Sequence, residues 1–246
     1  MKQKMASQLK RFAIVMRSKV NLMATAIKIS EWFLFMFLEG EKLRDIKSKC
    51  LVIYGNYLHR EKEIDKAITC YSKAVNLNPN NFYAHGGLTW AFIQKHMFQE
   101  AQEYCTKAIN LRNSKGILSP TTVLIKLHQI IIYESLGQNT LANETIEQIQ
   151  PFFDNSLAAI HDRLGRTYFE VGMFRQAEDH GKRAIDIDPD SARLYHNLAR
   201  VYWAQSNYEM ARIELQKVLQ LTNEKFYKDN AIKYIEKIEK KMRAKG

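Results

Sequence analysis

Small and large apolar residues recur along this chain on one long period, and no stretch alternates apolar with polar residues between hairpin turns as strands do. Ala67 and Ala101 are 34 residues apart, as are Ala177 and Ala211, while Ala101 to Ala142 is 41 and Ala142 to Ala177 is 35. Gly55 and Gly165 stand twelve residues before their alanines, and Pro79 and Pro189 twelve after. Small residues at fixed spacing let two helices approach closely, and larger residues fill the gap between neighbouring pairs. Proline ends the second helix because it lacks an N–H and its ring clashes with the preceding turn. A unit of about 34 residues cannot bury its apolar face alone, so it stacks on copies of itself. The pattern predicts an all-α chain of helix–turn–helix repeats.

Five units start at Ser48, Phe82, Val123, Ala158 and Ala192. The fourth carries Leu164-Gly165, Tyr168, Ala177, Ala184 and Pro189, and the first carries Gly55, Ala67, Tyr71, Ala74 and Pro79. The second keeps Leu88, Phe92, Ala101 and Ala108 with Thr89 in the glycine slot, and the fifth keeps Tyr195, Leu198, Ala199, Tyr202 and Ala211. The third departs, with Ile130 for the glycine, Ile149 for the second alanine and an early Pro151. These residues resemble the tetratricopeptide-repeat family over residues 48–223. The resemblance implies a TPR solenoid of five repeats with an N-terminal helical leader and a C-terminal capping helix.

Charge is unevenly placed. The net charge is +11, but residues 1–30 hold seven basic and no acidic side chains, and residues 225–246 hold eight basic and three acidic ones. The intervening array is close to neutral. A repeat array that tracks a nucleic-acid backbone would need its basic stripe on the inner face, so nucleic acid is disfavoured as a partner, and a ribonucleoprotein factor using the basic ends is the alternative reading. Basic ends suit an anionic surface, membrane or acidic protein. Cys50, Cys70 and Cys105 imply no disulfide framework or zinc site, and Cys70 and Cys105 read as small core residues.

The leader, residues 1–40, ends in the apolar run Trp32 to Leu38, which includes Phe33, Phe35 and Phe37. Arg17, Lys19, Asn21, Lys28 and Glu31 interrupt the region, which is too broken to span a bilayer. No small-residue cleavage site follows the run, so a secretory signal fits poorly, whereas the basic, acid-free composition also suits a mitochondrial presequence. Such a run does not stay in water. It caps the first repeat, drives homo-oligomer formation or contacts an anionic membrane, with Trp32, Phe33, Phe35 and Phe37 as the contact residues. The organisation expected is leader 1–40, N-terminal lobe 41–112, linker 113–122 and C-terminal lobe 123–246. Gly116 and Pro120 make that linker either a hinge or a tolerated insertion.

The family resemblance implies that one face of each repeat's first helix lines a peptide groove. In the C-terminal lobe those positions give Asp162, Arg166, Phe169, Arg193, His196, Arg200 and Trp203, a set suited to acidic or extended peptides because guanidinium pairs bidentately with carboxylate. In the N-terminal lobe Asn56, Tyr83 and Trp90 form a secondary groove. Co-chaperone members of the family clamp a C-terminal carboxylate, but Val52, Gly87, Leu124 and Leu127 stand where most of that clamp is required, with only Asn56 matching. No phosphate loop, dinucleotide fingerprint, HExxH or nucleophile elbow occurs, so the sequence predicts no catalytic residue, no cofactor and no metal. The functional expectation is a non-enzymatic, self-assembling protein–protein scaffold. It would be cytoplasmic and peripheral on an intracellular membrane, in the manner of magnetosome-associated TPR scaffolds.

Overall fold

A computed structural model describes residues 40–112 and 119–243. Among the described residues are eleven α-helices, one 3-10 turn and no strand. The apolar leader residues Trp32, Phe33, Phe35 and Phe37, and residues 113–118 of the expected linker, lie outside the described residues. Chain contacts divide the molecule into two compact units, Met1–Gly116 and Ile117–Gly246.

Unit one contains α1 (Glu41–Arg60), α2 (Ile64–Leu77), α3 (Phe82–Gln94) and α4 (Phe98–Arg112). Its joint is Tyr71, whose ring is buried between two glycines. A Cβ built on either Gly55 or Gly87 would come within 2.6 Å of the Tyr71 ring, so both positions exclude a side chain. Gly87 takes this role in the second repeat, although Thr89 occupies the consensus glycine slot. The Tyr71 hydroxyl donates to Asn56 Oδ1 at 2.7 Å, and burial pushes its pKa up to about 12. Asn81 accepts from the backbone N–H groups of Tyr83 and Ala84, capping α3, while its side-chain amide donates to Ser48 Oγ at 2.7 Å. One asparagine thus starts a helix and ties it to α1.

Unit two contains α5 (Pro120–Ser135), α6 (Asn139–Ile149), the 3-10 turn η1 (Gln150–Phe153), α7 (Leu157–Glu170), α8 (Phe174–Ile187), α9 (Ala192–Ala204), α10 (Tyr208–Leu221) and α11 (Lys225–Arg243). Pro120, expected within the linker as a helix breaker, instead opens α5. Ser119 caps that helix, and the missing proline N–H is harmless in a first turn. Early Pro151 ends α6 and begins η1, which touches both α6 and α7. Gly165 lets α7 and α8 approach, since a Cβ there would lie 3.2 Å from the carbonyl oxygen of Ala177. The departures of the third repeat from consensus are absorbed by packing, because Ile130 and Ile149 are fully buried.

Each repeat turns from its first to its second helix through one residue with positive φ: Lys62, His96, Gly137, Gly172 and Ser206. Each stands five residues before its alanine of the sequence grid. Only two of the five are glycine, so the turn is imposed by the packed helix pair rather than by local preference.

Candidate functional site

The first helices of repeats three to five, α5, α7 and α9, lie side by side in unit two. At their centre is Asp162 on α7, only 5% exposed. Its Oδ2 accepts from Arg193 Nη1 at 2.5 Å and lies 3.9 Å from Arg166 Nη1, while Oδ1 accepts from Asn197 Nδ2 at 2.7 Å. A buried carboxylate needs such partners, and here they come from α7 and α9. The Arg166 and Arg193 side chains remain 40% and 43% exposed, so their pairing with the acid does not take them from the surface. Arg200 lies over the Phe169 ring at 5.1 Å. A cleft of about 140 Å3 runs between these side chains, lined by Asp162, Arg166, Phe169, Asn197 and Arg200 among others.

A second cleft of about 380 Å3 adjoins the same arginines. Leu124 of α5 with Phe152 and Phe153 of η1 gives it apolar walls, and Arg163, Arg166 and Arg193 line it on α7 and α9. The sequence reading missed Arg163, Phe152 and Phe153 here. The early Pro151 was the available signal, since it displaces a turn into the space beside the groove.

The expected groove residues separate. Arg166, Phe169 and Arg200 line the first cleft, and Arg193 joins them through Asp162 while lining the second. His196 and Trp203 turn toward α11 instead. The His196 ring is buried with Tyr227 at 5.7 Å and Tyr234 at 6.4 Å, while Trp203 meets Tyr208 at 5.3 Å and Tyr234 at 5.7 Å. Lys241 stands over the Trp203 ring at 5.3 Å. Burial and the Arg200 charge lower the pKa of His196. In unit one, Asn56 bonds to Tyr71, Trp90 stacks on His59 at 6.2 Å, and Tyr83 is 53% exposed. Val52 and Leu127, at clamp positions, are buried.

A polar cluster the sequence did not single out ties α5, α7 and α8 together. Glu134 Oε2 accepts from the Tyr168 hydroxyl and meets His180 Nε2 at 3.0 Å, and His180 Nδ1 meets His161 Nδ1 at 3.0 Å. Burial raises the pKa of Glu134, but the His180 and Tyr168 hydrogen bonds outweigh it and the net shift is downward. Burial, then the His180 and Arg183 charges, pulls His161 down to about 4. The two histidines sit close only in the folded chain, which is why spacing did not reveal them. Among the described residues no group of three histidine, cysteine or acidic side chains is arranged to hold a metal. No described helix is long and apolar enough to cross a membrane.

Comparison with known proteins matches a TPR repeat model over residues 55–89 and a tetratricopeptide repeat model over residues 168–225. Stress-induced-phosphoprotein 1 of Caenorhabditis elegans is 21% identical over 170 residues, covering 59% of this chain and 53% of that protein. The Hsp70-Hsp90 organising protein of Plasmodium falciparum is 25% identical over 167 residues, covering 67% of this chain and 28% of its own length. The chain therefore spans about half or less of these relatives. BtubC from P. vanneervenii shares the fold with a TM-score of 0.51 at 15% identity, over 81% of this chain and 87% of its own. MamA of Desulfovibrio magneticus RS-1 aligns with a TM-score of 0.45 at 16% identity, over 71% of this chain and 94% of its own.

Proposed function

We propose that this chain, which belongs to the tetratricopeptide-repeat family, is a non-enzymatic scaffold whose C-terminal unit holds extended acidic segments of other proteins. TPR proteins mediate protein–protein interactions, and the fold supplies the helical face on which such segments lie. One observation carries the finer reading: a buried carboxylate, Asp162, holds Arg193 in place and has Arg166 3.9 Å away, with Arg200 lining the same cleft. Cations fixed in advance lose little conformational freedom when a carboxylate arrives. The Hsp70-Hsp90 organising relatives are named for two protein partners. Here the buried Val52 and Leu127 leave no cation at those positions to clamp a terminal carboxylate, so the reading favours acidic side chains along a segment.

The test is titration of glutamate-rich peptides into the full chain and into Arg166→Gln/Arg200→Gln. Arg193 is left intact because it compensates Asp162. The double variant should bind about tenfold more weakly or worse with an unchanged melting temperature, because exposed charges contribute little to stability. Equal affinity would overturn the groove assignment.

A second reading, self-assembly or peripheral attachment to an anionic membrane, draws on the leader, where Trp32, Phe33, Phe35 and Phe37 follow a basic, acid-free segment. It would suit a magnetosome-type scaffold and makes the chain its own partner.

A further inference from the structure

The cleft beside η1 is the part of unit two that the repeat does not require. Pro151 arrives early and directs the chain into the 3-10 turn, which leaves Phe152 42% exposed opposite Leu124 at 39%. Two large apolar side chains held open across one cleft forgo burial, which an apolar partner side chain would restore. At about 380 Å3 the cleft has room for a large side chain. Its rim is basic. Arg163, Arg166 and Arg193 line it against Asp162 alone, and that carboxylate is buried against Arg193. Arg163 makes no ion pair among the described residues.

We infer that this cleft is the anchor pocket for an acidic peptide. An aromatic or large aliphatic side chain of the peptide enters between Leu124 and Phe152, and carboxylates on its neighbours meet Arg163 and Arg166. This rests on reading the adjoining face as an acidic-peptide groove, and it adds the residue class that such a peptide must carry. Charge complementarity selects the flanking acids, and the apolar walls select the anchor. The anchor fixes register, because an arginine row alone would let an acidic segment slide.

The experiment measures fluorescence anisotropy of short labelled peptides with the full chain. One peptide places a phenylalanine between glutamates, a second has serine in place of the phenylalanine, and a third has glutamines in place of the glutamates. The serine and glutamine peptides should each bind about tenfold more weakly than the first. Phe152→Ser should remove the difference between the phenylalanine and serine peptides, the signature of a direct pair in a double-mutant cycle. Because Phe152 is exposed, helicity should not change. Equal binding of the phenylalanine and serine peptides, or equal weakening of both by Phe152→Ser, would overturn the anchor while the acidic groove stands. Equal binding of the glutamate and glutamine peptides would overturn the groove itself, and no binding by any peptide would overturn both. A change in particle mass on Phe152→Ser, read by light scattering, would mean that a second copy of the chain covers the cleft and would also overturn the anchor.

Discussion

Asp162 and His161 are neighbours on α7 and meet opposite fates. Asp162 turns toward α9 and is compensated there by Arg193 and Asn197. His161 turns toward α8, where burial, then His180 and Arg183, oppose its charge, and Glu134 only partly offsets them. The unfolded chain therefore takes up a proton near pH 6.5 that the folded chain resists until about 4. A lowered histidine pKa contributes stability above the unfolded value and loses it as pH falls, and His59 and His196 shift in the same direction. Between pH 6.5 and 4.5 unfolding free energy should drop by on the order of 2 kcal/mol from His161 alone, allowing for partial screening. Denaturant titrations of the wild type and His161→Gln check this, because the glutamine keeps a polar partner for His180 and does not titrate. Parallel pH profiles would assign the loss to other groups.

Elements divide into those the repeat dictates and those it does not. The five helix pairs follow the period, down to a positive-φ turn five residues before each alanine. Both η1 and α11 lie outside that rule and shape the site. α11 buries Ala231 and Ile238 and covers His196, so it takes that expected groove residue from the open face and leaves Trp203 half-buried against Tyr234. Ile238→Asp places a charge in that contact and should cost about 3 kcal/mol. Limited proteolysis should then cut faster in the Thr222–Glu224 connection, while the α1–α4 repeats keep their helicity. Unchanged melting and cutting rates would mean that α11 is not part of the folded core.

At the scale of the whole molecule, charge and apolarity are segregated along the chain. The repeats are near neutral, whereas the first 30 residues carry seven cations and no acid and lead into the run Trp32 to Leu38. Burying such a run in a partner surface is worth several kcal/mol at roughly 25 cal/mol for each Å2, enough to hold copies together. Removing residues 1–40 should therefore convert a large particle into a monomer or small oligomer in size exclusion with light scattering. An unchanged mass would leave capping of the first repeat as the role of the leader.

The all-α class and the repeat period were legible in the sequence, because both depend on local spacing: small residues where helices touch, and Pro79 and Pro189 just past second helices. The start of α5 was not, since Pro120 opens that helix instead of breaking it. The expectation that Arg166, Phe169, Arg193 and Arg200 share one face came from the family resemblance, since a helix period orders residues within one element and these four lie on two. The sequence did not determine which of those side chains remain open. Whether Arg193 faces solvent or Asp162 is settled across two helices, and whether His196 and Trp203 are accessible is settled by a third, α11. Gly87 could be assigned against Tyr71 only once the two repeats were stacked. The cluster of Glu134, His161, Tyr168 and His180 joins residues up to 46 positions apart, so only the tertiary structure could assemble it. Burial and compensation depend on neighbours remote in sequence, and they decide which charges a partner can meet.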